Sequence, residues 1–290
     1  MKTLHIIAGP TACGKTAAAI ELAHQVNAEI VSADSMQIYK YMNIGTAKPT
    51  AEEMQGIPHH MLDVAAPNEY FSVADYTRLA TAAIDDIISR GKTPILAGGT
   101  GFYINAVLYG AEFTEVKEGQ HEEDSRLRQI YTAVAMDKGS LYIYEKLQAV
   151  DPVSAKAIHP NNIKRVVRAL AFCEATGTLF SAHNAAQKQK LPRYNAVTQL
   201  ITIPRETLYD RINTRVITMW KAGLPEEVAG LLAKGYAPAL TAMQGIGYKE
   251  TIPYLQGYQT KEDTIAQIQQ ATRNYAKRQD TWFRHQMRLM

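Results

Sequence analysis

The stretch that decides the fold is Gly9-Pro10-Thr11-Ala12-Cys13-Gly14-Lys15-Thr16, which fits the pattern G-x-x-x-x-G-K-[ST]. It follows a short apolar run at residues 4–8 and precedes a helical pattern over residues 15–26. That context is typical of a phosphate loop, in which glycines let consecutive backbone N–H groups face an anion at a helix N-terminus. In such a loop, Lys15 neutralises phosphate oxygens and the Thr16 hydroxyl is a ligand for Mg²⁺. The stretch predicts a site for a diphosphate or a triphosphate.

Beyond this loop, short apolar strands alternate with amphipathic helices over the first 110 residues. Further strands are predicted at residues 29–33 and 94–97. A helix begins after Ser72, which has Asp75 at the spacing of a capping box. Alternating strands and helices predict a parallel sheet that binds ligands at the carboxyl edge of its strands. The predicted fold class is α/β, with a P-loop NTPase-like core of parallel sheet flanked by helices.

The middle of the chain has a different, helical character. We expect residues 111–195 to form a helical insertion domain between two parts of the core, at residues 1–110 and 196–290. Its clearest helix covers residues 161–176, and a polar loop at residues 181–195 is expected to end it. The chain then returns through a strand at 197–203, a helix at 205–220 and a long basic helix from Lys261 that Thr260 and Asp263 cap.

Composition sets further limits. The 290 residues are 46% hydrophobic and 20% charged, so a sizeable core is expected. Two cysteines are too few for a disulfide framework, and no apolar run reaches the roughly 18 residues of a membrane span. Residues 112–124 carry six acidic side chains against one lysine, and residues 271–290 carry five basic side chains against one aspartate. We expect a cytoplasmic protein, with solvated surfaces as the simplest interpretation of both charged segments.

Two strand ends bear on the chemistry at the phosphate loop. The predicted strand at 94–97 continues into Gly98-Gly99-Thr100-Gly101, with no acidic residue where a Walker B aspartate would hold Mg²⁺. Asp34 follows the predicted strand at 29–33, so its carboxylate lies at the same edge of the sheet as the loop. Asp34 either accepts a proton from a nucleophile or caps a turn, and the spacing leaves both roles open.

More motifs follow in a fixed order along nearly the whole chain. They are Ser32-Ala33-Asp34-Ser35-Met36-Gln37-Ile38-Tyr39, Asn43-Ile44-Gly45-Thr46-Ala47-Lys48-Pro49, Pro58-His59-His60-Met61-Leu62-Asp63, Phe71-Ser72-Val73-Ala74-Asp75-Tyr76, Gly98-Gly99-Thr100-Gly101-Phe102-Tyr103, Asp151-Pro152, Ile158-His159-Pro160-Asn161, Arg165-Val166-Val167-Arg168-Ala169-Leu170, Gly245-Ile246-Gly247-Tyr248-Lys249-Glu250 and Tyr275-Ala276-Lys277-Arg278-Gln279-Asp280-Thr281-Trp282-Phe283-Arg284. Each block alone is a weak signal. The ordered series resembles the bacterial tRNA dimethylallyltransferase (tRNA isopentenyltransferase) family.

The resemblance implies a reaction, its substrates and its cofactor. Members of the family transfer a dimethylallyl group from dimethylallyl diphosphate to N6 of the adenosine at tRNA position 37, next to the anticodon, and release diphosphate. The phosphate loop would hold the leaving diphosphate with Mg²⁺, which agrees with the missing Walker B carboxylate because no γ-phosphoryl group is attacked. The expected partners are the tRNA anticodon stem-loop and dimethylallyl diphosphate, with no membrane and a monomeric protein.

The resemblance also assigns roles on the donor side. Asp34 matches the general base of the family, because an exocyclic adenine amine needs a carboxylate to accept its proton. Arg211 and Arg215 lie on one face of a predicted helix, and Arg215 is favoured as a diphosphate ligand. The alternative for either arginine is a surface salt bridge with Glu206 or Asp210. The expected diphosphate contacts are Gly9, Pro10, Thr11, Ala12, Cys13, Gly14, Lys15, Thr16, Arg211 and Arg215, with Thr16 also the metal ligand.

On the acceptor side, the target adenosine must leave its stack, and single-stranded loops are recognised by stacking and base-edge hydrogen bonds. Asp34-Ser35-Met36-Gln37 resembles the segment at the flipped base, with Gln37 contacting a neighbouring base and Thr100 lining the channel near the reacting centre. The resemblance and the basic charge together predict tRNA contacts at Lys164, Arg165 and Arg168 of the insertion, and at Gly247, Lys249, Arg273, Lys277 and Arg278. Solubility is the alternative role of each single basic residue.

Three other functions share parts of this pattern. A P-loop kinase of nucleosides or small molecules also has a carboxylate after its second strand, but it transfers phosphate from ATP. An isopentenyltransferase that acts on free adenine nucleotides shares the core without needing a basic terminal helix. A non-catalytic RNA-binding P-loop protein would be insensitive to the loss of Asp34.

Overall fold

The computed structural model describes residues 2–110, 120–188 and 190–287. The chain forms two compact units, and each is described by itself. The first comprises Met1–Gly110 and Pro192–Met290, and the second comprises Ala111–Leu191. Most of the acidic segment at 112–124 lies outside the described residues.

The chain returns to the first unit at Pro192, a little earlier than the expected residue 196. Backbone pairing begins ahead of the strand pattern, because Arg193 N donates to Leu108 O at 2.7 Å. Tyr194 is then almost completely buried in the main core. The residues just before the strand thus already belong to the α/β core.

A five-stranded sheet forms the centre of the first unit. Its strands are β1 (Thr3–Ala8), β2 (Ala28–Ser32), β3 (His59–His60), β4 (Thr93–Gly98) and β5 (Asn195–Leu200). Their order across the sheet is β3-β2-β4-β1-β5, and every pair is parallel. In the register, Ile7 of β1 lies opposite Ala97 of β4 and Gln199 of β5. The predicted α/β class with a parallel sheet is confirmed.

Two strands differ from the sequence-based prediction. The edge strand β3 was missed, because two residues are too short for a periodic pattern. It is held by Ile30 N, which donates to Pro58 O at 2.9 Å, and by His60 Nε2, which lies 2.7 Å from Glu29 Oε2. The last strand, β5, overlaps the predicted strand at 197–203 but begins two residues earlier and ends three residues earlier.

Helices occur in both units. In chain order they are α1 (Lys15–Val26), α2 (Ala51–Met54), α3 (Val73–Ser89), α4 (Gly101–Tyr109), α5 (Gln120–Lys138), α6 (Ser140–Val150), α7 (Pro152–Ala157), α8 (Ile163–Thr176), α9 (Phe180–Lys188), α10 (Arg205–Lys221), α11 (Leu224–Ala233), α12 (Tyr248–Leu255) and α13 (Lys261–Gln286). Among the residues that the structure describes, no helix is both long and apolar enough to cross a membrane.

Both predicted helix caps of the first unit are present, at the starts of α3 and α13. Asp75 N donates to Ser72 Oγ at 3.2 Å and Ser72 N donates to Asp75 Oδ2 at 3.0 Å, which completes the capping box of α3. At the start of α13, Asp263 N donates to Thr260 Oγ1 at 3.1 Å. Each cap satisfies backbone donors that have no partner inside the helix.

The main core lies between the sheet and helices α3 and α4, which follow β3 and β4. The fully buried Leu4, Ile6, Val31 and Leu96 of the sheet pack in one cluster with Tyr76 of α3. A second cluster joins the segment after β2 to helices α10–α13. The carboxyl ends of the strands therefore face elements from both ends of the chain.

The second unit is helical, as predicted, with a core from α5 to α8. The expected polar loop at 181–195 is wrong over its first part, because α9 forms there. Two contacts fix its start: Ser181 N donates to the buried Asp151 Oδ2 at 2.8 Å, and the rings of Phe172 and Phe180 meet at 5.5 Å. These partners lie outside the local sequence, so the local polarity did not indicate a helix.

Candidate active site

The phosphate loop lies between β1 and α1, in the context that the sequence predicted. Gly14 is the N-cap of α1 and has a φ of 101°, a left-handed conformation that glycine adopts without steric cost. The side chain of Cys13 packs in one cluster with Ile212 of α10 and Ala276 of α13. This packing fixes two distant helices against the loop.

Lys15 folds back over the loop that precedes it. Its ammonium group donates to Pro10 O at 2.6 Å and lies 3.9 Å from Cys13 Sγ. Burial lowers the pKa of Lys15 from its ordinary value, and the neighbouring Cys13 sulfur and Asp34 carboxylate oppose that shift. The lysine and Asp34 therefore interact electrostatically at the same edge of the sheet.

Helix α10 brings both predicted arginines to the loop. Arg211 Nη1 lies 3.9 Å from the position that a Cβ on Gly14 would take. Arg215 is partly buried, which lowers the pKa of its guanidinium, and its charge contributes to the lowered pKa of Lys15. In the described part of the chain, neither arginine forms a salt bridge with Glu206 or Asp210. The salt bridge with Glu206 or Asp210 is thus not formed among the described residues, and diphosphate binding by the two arginines stays a prediction.

Asp34 begins a turn directly after β2. Its Oδ1 accepts hydrogen bonds from Met36 N at 2.8 Å and from Gln37 N at 3.4 Å. No hydrogen bond to Oδ2 is formed within the described residues. One oxygen thus caps the turn while the other is available to accept a proton, so both interpretations left open by the sequence are compatible.

Thr100 connects the turn after β4 to the Asp34 turn. Thr100 Oγ1 accepts a hydrogen bond from Ser35 N at 3.1 Å, and Thr100 N donates to Ala33 O at 3.0 Å. Although Thr100 is the N-cap residue of α4, its side chain does not cap that helix. Its hydroxyl instead binds the backbone of the Asp34 turn, at Ser35.

Two residues of α13 complete this part of the site, and the sequence analysis missed both. Gln279 Oε1 accepts a hydrogen bond from Thr11 N at 2.8 Å, and Gln279 Nε2 donates to Gly99 O at 2.9 Å. The hydroxyl of Tyr275 lies near the side chains of Thr100 and Gln279, which partly offset the rise in its pKa that burial causes. A buried polar group needs such partners.

A sequence signal for Gln279 exists in hindsight. It lies between Ala276 and Phe283, at spacings of three and four residues, on the buried stripe of α13. A glutamine on an apolar stripe indicates a buried side chain that must find hydrogen-bond partners. The pattern does not say which partners, because they lie elsewhere in the chain.

Close contacts explain two glycines of the turn after β4. A Cβ on Gly99 would collide with Gln279 Nε2, and a Cβ on Gly101 would collide with the indole of Trp282. The Gly-Gly-Thr-Gly motif therefore allows α13 to pack directly on the backbone of this turn.

The charge of Asp34 influences three tyrosine side chains, Tyr76, Tyr103 and Tyr275. The rings of Tyr76 and Tyr103 stack at 3.9 Å between centroids, and Tyr76 donates to Ser32 O at 2.9 Å. Burial raises the pKa of Tyr76, Tyr103 and Tyr275, and the charge of Asp34 adds to each shift. The pKa of Tyr275 reaches about 12. All three phenols therefore stay protonated at neutral pH, beside the carboxylate.

The side chain of Gln37 forms hydrogen bonds with other parts of the protein. Its Oε1 accepts from Ser32 Oγ at 2.9 Å, and its Nε2 donates to Thr46 O at 3.3 Å and Ala47 O at 3.2 Å. Contact with a neighbouring base, as the resemblance implies, would require exchange of these bonds. In this structure Gln37 holds segment 43–48 against the Asp34 turn.

The predicted basic residues of α13 divide into two kinds. Lys277 and Arg278 are exposed, and the Arg278 guanidinium lies 5.7 Å from the centre of the Tyr275 ring. Arg273 is partly buried, and its Nη1 donates to Asn213 Oδ1 at 2.6 Å. That bond ties α13 to α10, so Arg273 has a structural role as well.

The other predicted tRNA contacts lie on three separate elements. Met36, in the Asp34 turn, packs against Gly245. Gly247 caps α12, where Lys249 Nζ lies 3.7 Å from Glu250 Oε1. In the second unit, the predicted contacts are exposed near the start of α8: Lys164, Arg165 and Arg168.

Comparison with known proteins agrees with this geometry. Residues 37–286 match the family model of the IPP transferases. The chain is 48% identical over 284 residues to the tRNA dimethylallyltransferase of Acetivibrio thermocellus, which covers 98% of this chain and 89% of that protein. It is also similar to the crystal structure of a tRNA delta(2)-isopentenylpyrophosphate transferase from Staphylococcus epidermidis, with a TM-score of 0.71, 42% identity and coverage of 100% of this chain and 92% of that one.

A more distant solved structure extends this comparison. A eukaryotic dimethylallyltransferase, captured acting on tRNA, gives a TM-score of 0.81 at 31% identity, over 98% of this chain and 70% of that one. The family model and the relatives together cover the parallel sheet, the turns after β2 and β4, and the terminal helix that closes on them. The chain therefore belongs to the IPP transferase family.

Proposed function

We propose that this chain transfers the dimethylallyl group of dimethylallyl diphosphate to N6 of the adenosine at tRNA position 37 and releases diphosphate. One observation carries the proposal: the carboxylate of Asp34 shares a sheet edge with the phosphate loop and interacts electrostatically with Lys15. A base and an anion site at one edge of a sheet suit the joining of a nucleophile to a carbon that loses diphosphate. The relatives named as tRNA dimethylallyltransferases support the choice of substrates.

On the donor side, the loop and α10 would stabilise the leaving group. Negative charge develops on the diphosphate as the bond from its oxygen to the allylic carbon breaks. Lys15, Arg215 and Arg211 supply three positive charges around the loop. Backbone N–H groups at the start of α1 add further donors for the anion.

The residues present fit Mg²⁺ as the metal cofactor. Thr16 is exposed in the first turn of α1, next to Lys15, where its hydroxyl can be a ligand. Mg²⁺ usually binds one or two protein oxygens together with substrate phosphates, so a dedicated cage of protein ligands is not needed. When bound, the ion would neutralise charge on the diphosphate oxygens. Thr16 would hold it there, and Lys15 would share the same anion.

On the acceptor side, Asp34 would act as the general base. The lone pair of an exocyclic adenine amine is delocalised into the ring, so the amine becomes a good nucleophile only as its proton is removed. The C–N bond forms while the bond to the diphosphate oxygen breaks, and the proton passes to Asp34 Oδ2. Two backbone N–H groups, of Met36 and Gln37, donate to Oδ1 and would hold the carboxylate in place during this step. The bond from Ser35 N to Thr100 Oγ1 would hold the same turn.

The tRNA would bring its adenosine to this carboxylate from an anticodon loop. Taking a base out of its stack costs a few kcal/mol, which contacts to the RNA backbone must offset. Exposed Lys277 and Arg278 on α13 are suited to phosphate contacts in the first unit, and Lys164, Arg165 and Arg168 are suited to them in the second. We place the activity of a monomeric enzyme in the cytoplasm, where tRNA is modified.

The proposal is tested by prenyl transfer in vitro. The protein is incubated with Mg²⁺, dimethylallyl diphosphate and unmodified tRNA, and the nucleosides of the digested RNA are weighed by mass spectrometry. We expect adenosine heavier by one dimethylallyl group, and none of it when position 37 of the tRNA is guanosine. Parallel reactions with AMP as acceptor, or with ATP in place of the donor, should give no product. Prenylated AMP, or phosphate transferred from ATP, would overturn the assignment.

A further inference from the structure

The side chain of Gln279 lies between two parts of the site that are far apart in the sequence. It is 6% exposed and its two polar atoms bond Thr11 N of the phosphate loop and Gly99 O of the turn after β4. We propose that Gln279 is a positioning residue that sets the conformation of the phosphate loop for diphosphate. The inference rests on the proposed function only in identifying diphosphate as the anion.

The bond to Thr11 fixes one particular peptide group. Thr11 N and Pro10 O belong to the same peptide unit, and in a planar trans peptide the N–H and the C=O point in opposite directions. Gln279 Oε1 accepts from the N–H side at 2.8 Å, while Lys15 Nζ donates to the C=O side at 2.6 Å. The orientation of this peptide therefore sets where the ammonium group of Lys15 is held.

The bond to Gly99 anchors Gln279 itself. Gln279 Nε2 donates to Gly99 O at 2.9 Å, and the missing side chain of Gly99 makes room for this approach. The amide oxygen meanwhile accepts from Thr11 N at 2.8 Å, so both polar atoms of the side chain have a backbone partner. The amide thus has a fixed orientation, with its oxygen toward the phosphate loop and its nitrogen toward the acceptor-side turn.

A glutamine that only filled the core would need hydrogen-bond partners, but these would not have to belong to the phosphate loop and to the turn after β4. If Gln279 acts through the loop, its loss should weaken anion binding more than it affects tRNA binding or folding. Without the bond to Thr11, the peptide between Pro10 and Thr11 can rotate. Pro10 O then no longer holds the ammonium group of Lys15 in its present position. Diphosphate would then have to reorder the loop when it binds.

The test uses inorganic diphosphate with Mg²⁺, titrated into the full chain by calorimetry. Gln279→Met keeps the length of the side chain and removes both hydrogen bonds. Gln267→Met, at an exposed position of the same helix, is the matched control. We expect Gln279→Met to weaken diphosphate binding about tenfold, with a raised KM for the donor and an unchanged KM for tRNA. The control should bind diphosphate as the wild type does.

A second variant covers the case in which Gln279→Met does not fold. Gln279→Glu accepts from Thr11 N when ionised but donates to Gly99 O only when protonated. The ratio of wild-type to variant affinity for diphosphate should therefore shrink as the pH is lowered. Wild-type affinity in folded Gln279→Met, or a ratio independent of pH for Gln279→Glu, would overturn the inference. Diphosphate binding without prenyl transfer in the wild type would overturn the proposed function alone.

Discussion

The replacement of Asp34 by asparagine separates the two roles of this side chain. Asparagine keeps an oxygen that can accept from Met36 N and Gln37 N, as Asp34 Oδ1 does at 2.8 and 3.4 Å, so the turn should stay folded. It removes the basic oxygen that would accept the proton. General-base catalysis contributes about 10²–10⁴-fold to a rate, so single-turnover prenyl transfer should fall by that factor.

The same change should spare binding and stability. The negative charge of Asp34 lies near Lys15, where it competes with an anionic ligand, so diphosphate affinity should be unchanged or tighter in Asp34→Asn. Asp34→Ala differs because it also removes the cap. Loss of such a side-chain cap costs about 0.5–2 kcal/mol, so only the alanine variant should unfold at lower denaturant concentration.

The assay is a rapid-quench single turnover with enzyme in excess over labelled tRNA and saturating donor. Asp86→Asn is the control, because Asp86 is an exposed acid of α3 whose partner is Arg90 at 2.9 Å. Calorimetry with diphosphate and denaturant unfolding are measured on each variant. A folded Asp34→Asn protein that transfers the prenyl group at the wild-type rate would refute the general-base assignment.

Three further predictions concern the same site. Arg215→Gln should weaken diphosphate binding by about 10–100-fold, because a hydrogen bond to a charged group contributes about 1.5–3 kcal/mol. The control, Arg205→Gln on the exposed face of α10, should leave diphosphate binding unchanged. The lowered pKa of Lys15 means that diphosphate affinity should fall as the pH rises through that pKa, because the anion favours the protonated lysine. Gly101→Ala should destabilise the fold by about 1–3 kcal/mol through collision with the indole that packs on it.

For each of the three predictions, one result would contradict the reasoning. Equal diphosphate affinity in Arg215→Gln and Arg205→Gln would remove Arg215 from the anion site. For the pH dependence, Lys15→Arg is the comparison because its guanidinium stays protonated, and the same pH profile in both proteins would contradict the role of Lys15. For Gly101→Ala, the control is Gly230→Ala, which meets no neighbour within 4 Å; equal stability of the two variants would contradict the packing argument.

Local signals account for what the sequence predicted well. The phosphate loop is contiguous, and its strand and helix flank it directly, so the motif and its context are visible together. The capping pairs Ser72 with Asp75 and Thr260 with Asp263 are three residues apart, and both form as predicted. The family resemblance, built on such blocks, is confirmed by the family model and the relatives.

Signals failed where the stabilising partner was distant or the element was very short. The polarity of residues 181–195 predicts a loop, whereas the helix at Phe180–Lys188 depends on Asp151, which binds its first turn from 30 residues earlier. The two-residue strand β3 has no period to detect. The sequence alone does not separate the two roles of Asp34; the structure shows the capping bonds to Oδ1, and the general-base role stays a prediction.

Contiguous motifs were enough to predict the parallel α/β core, the strand–loop–helix context of Lys15 and Thr16, and the position of Asp34 at the same sheet edge. These follow from contiguous motifs and from the rule that parallel strands end at one edge. The contact of Gln279 with Thr11 across 268 residues, and the position of Arg211 near Gly14, could be seen only in the folded chain. Such contacts depend on how helices pack, and the periodicity of a helix gives its buried face without naming what lies against it.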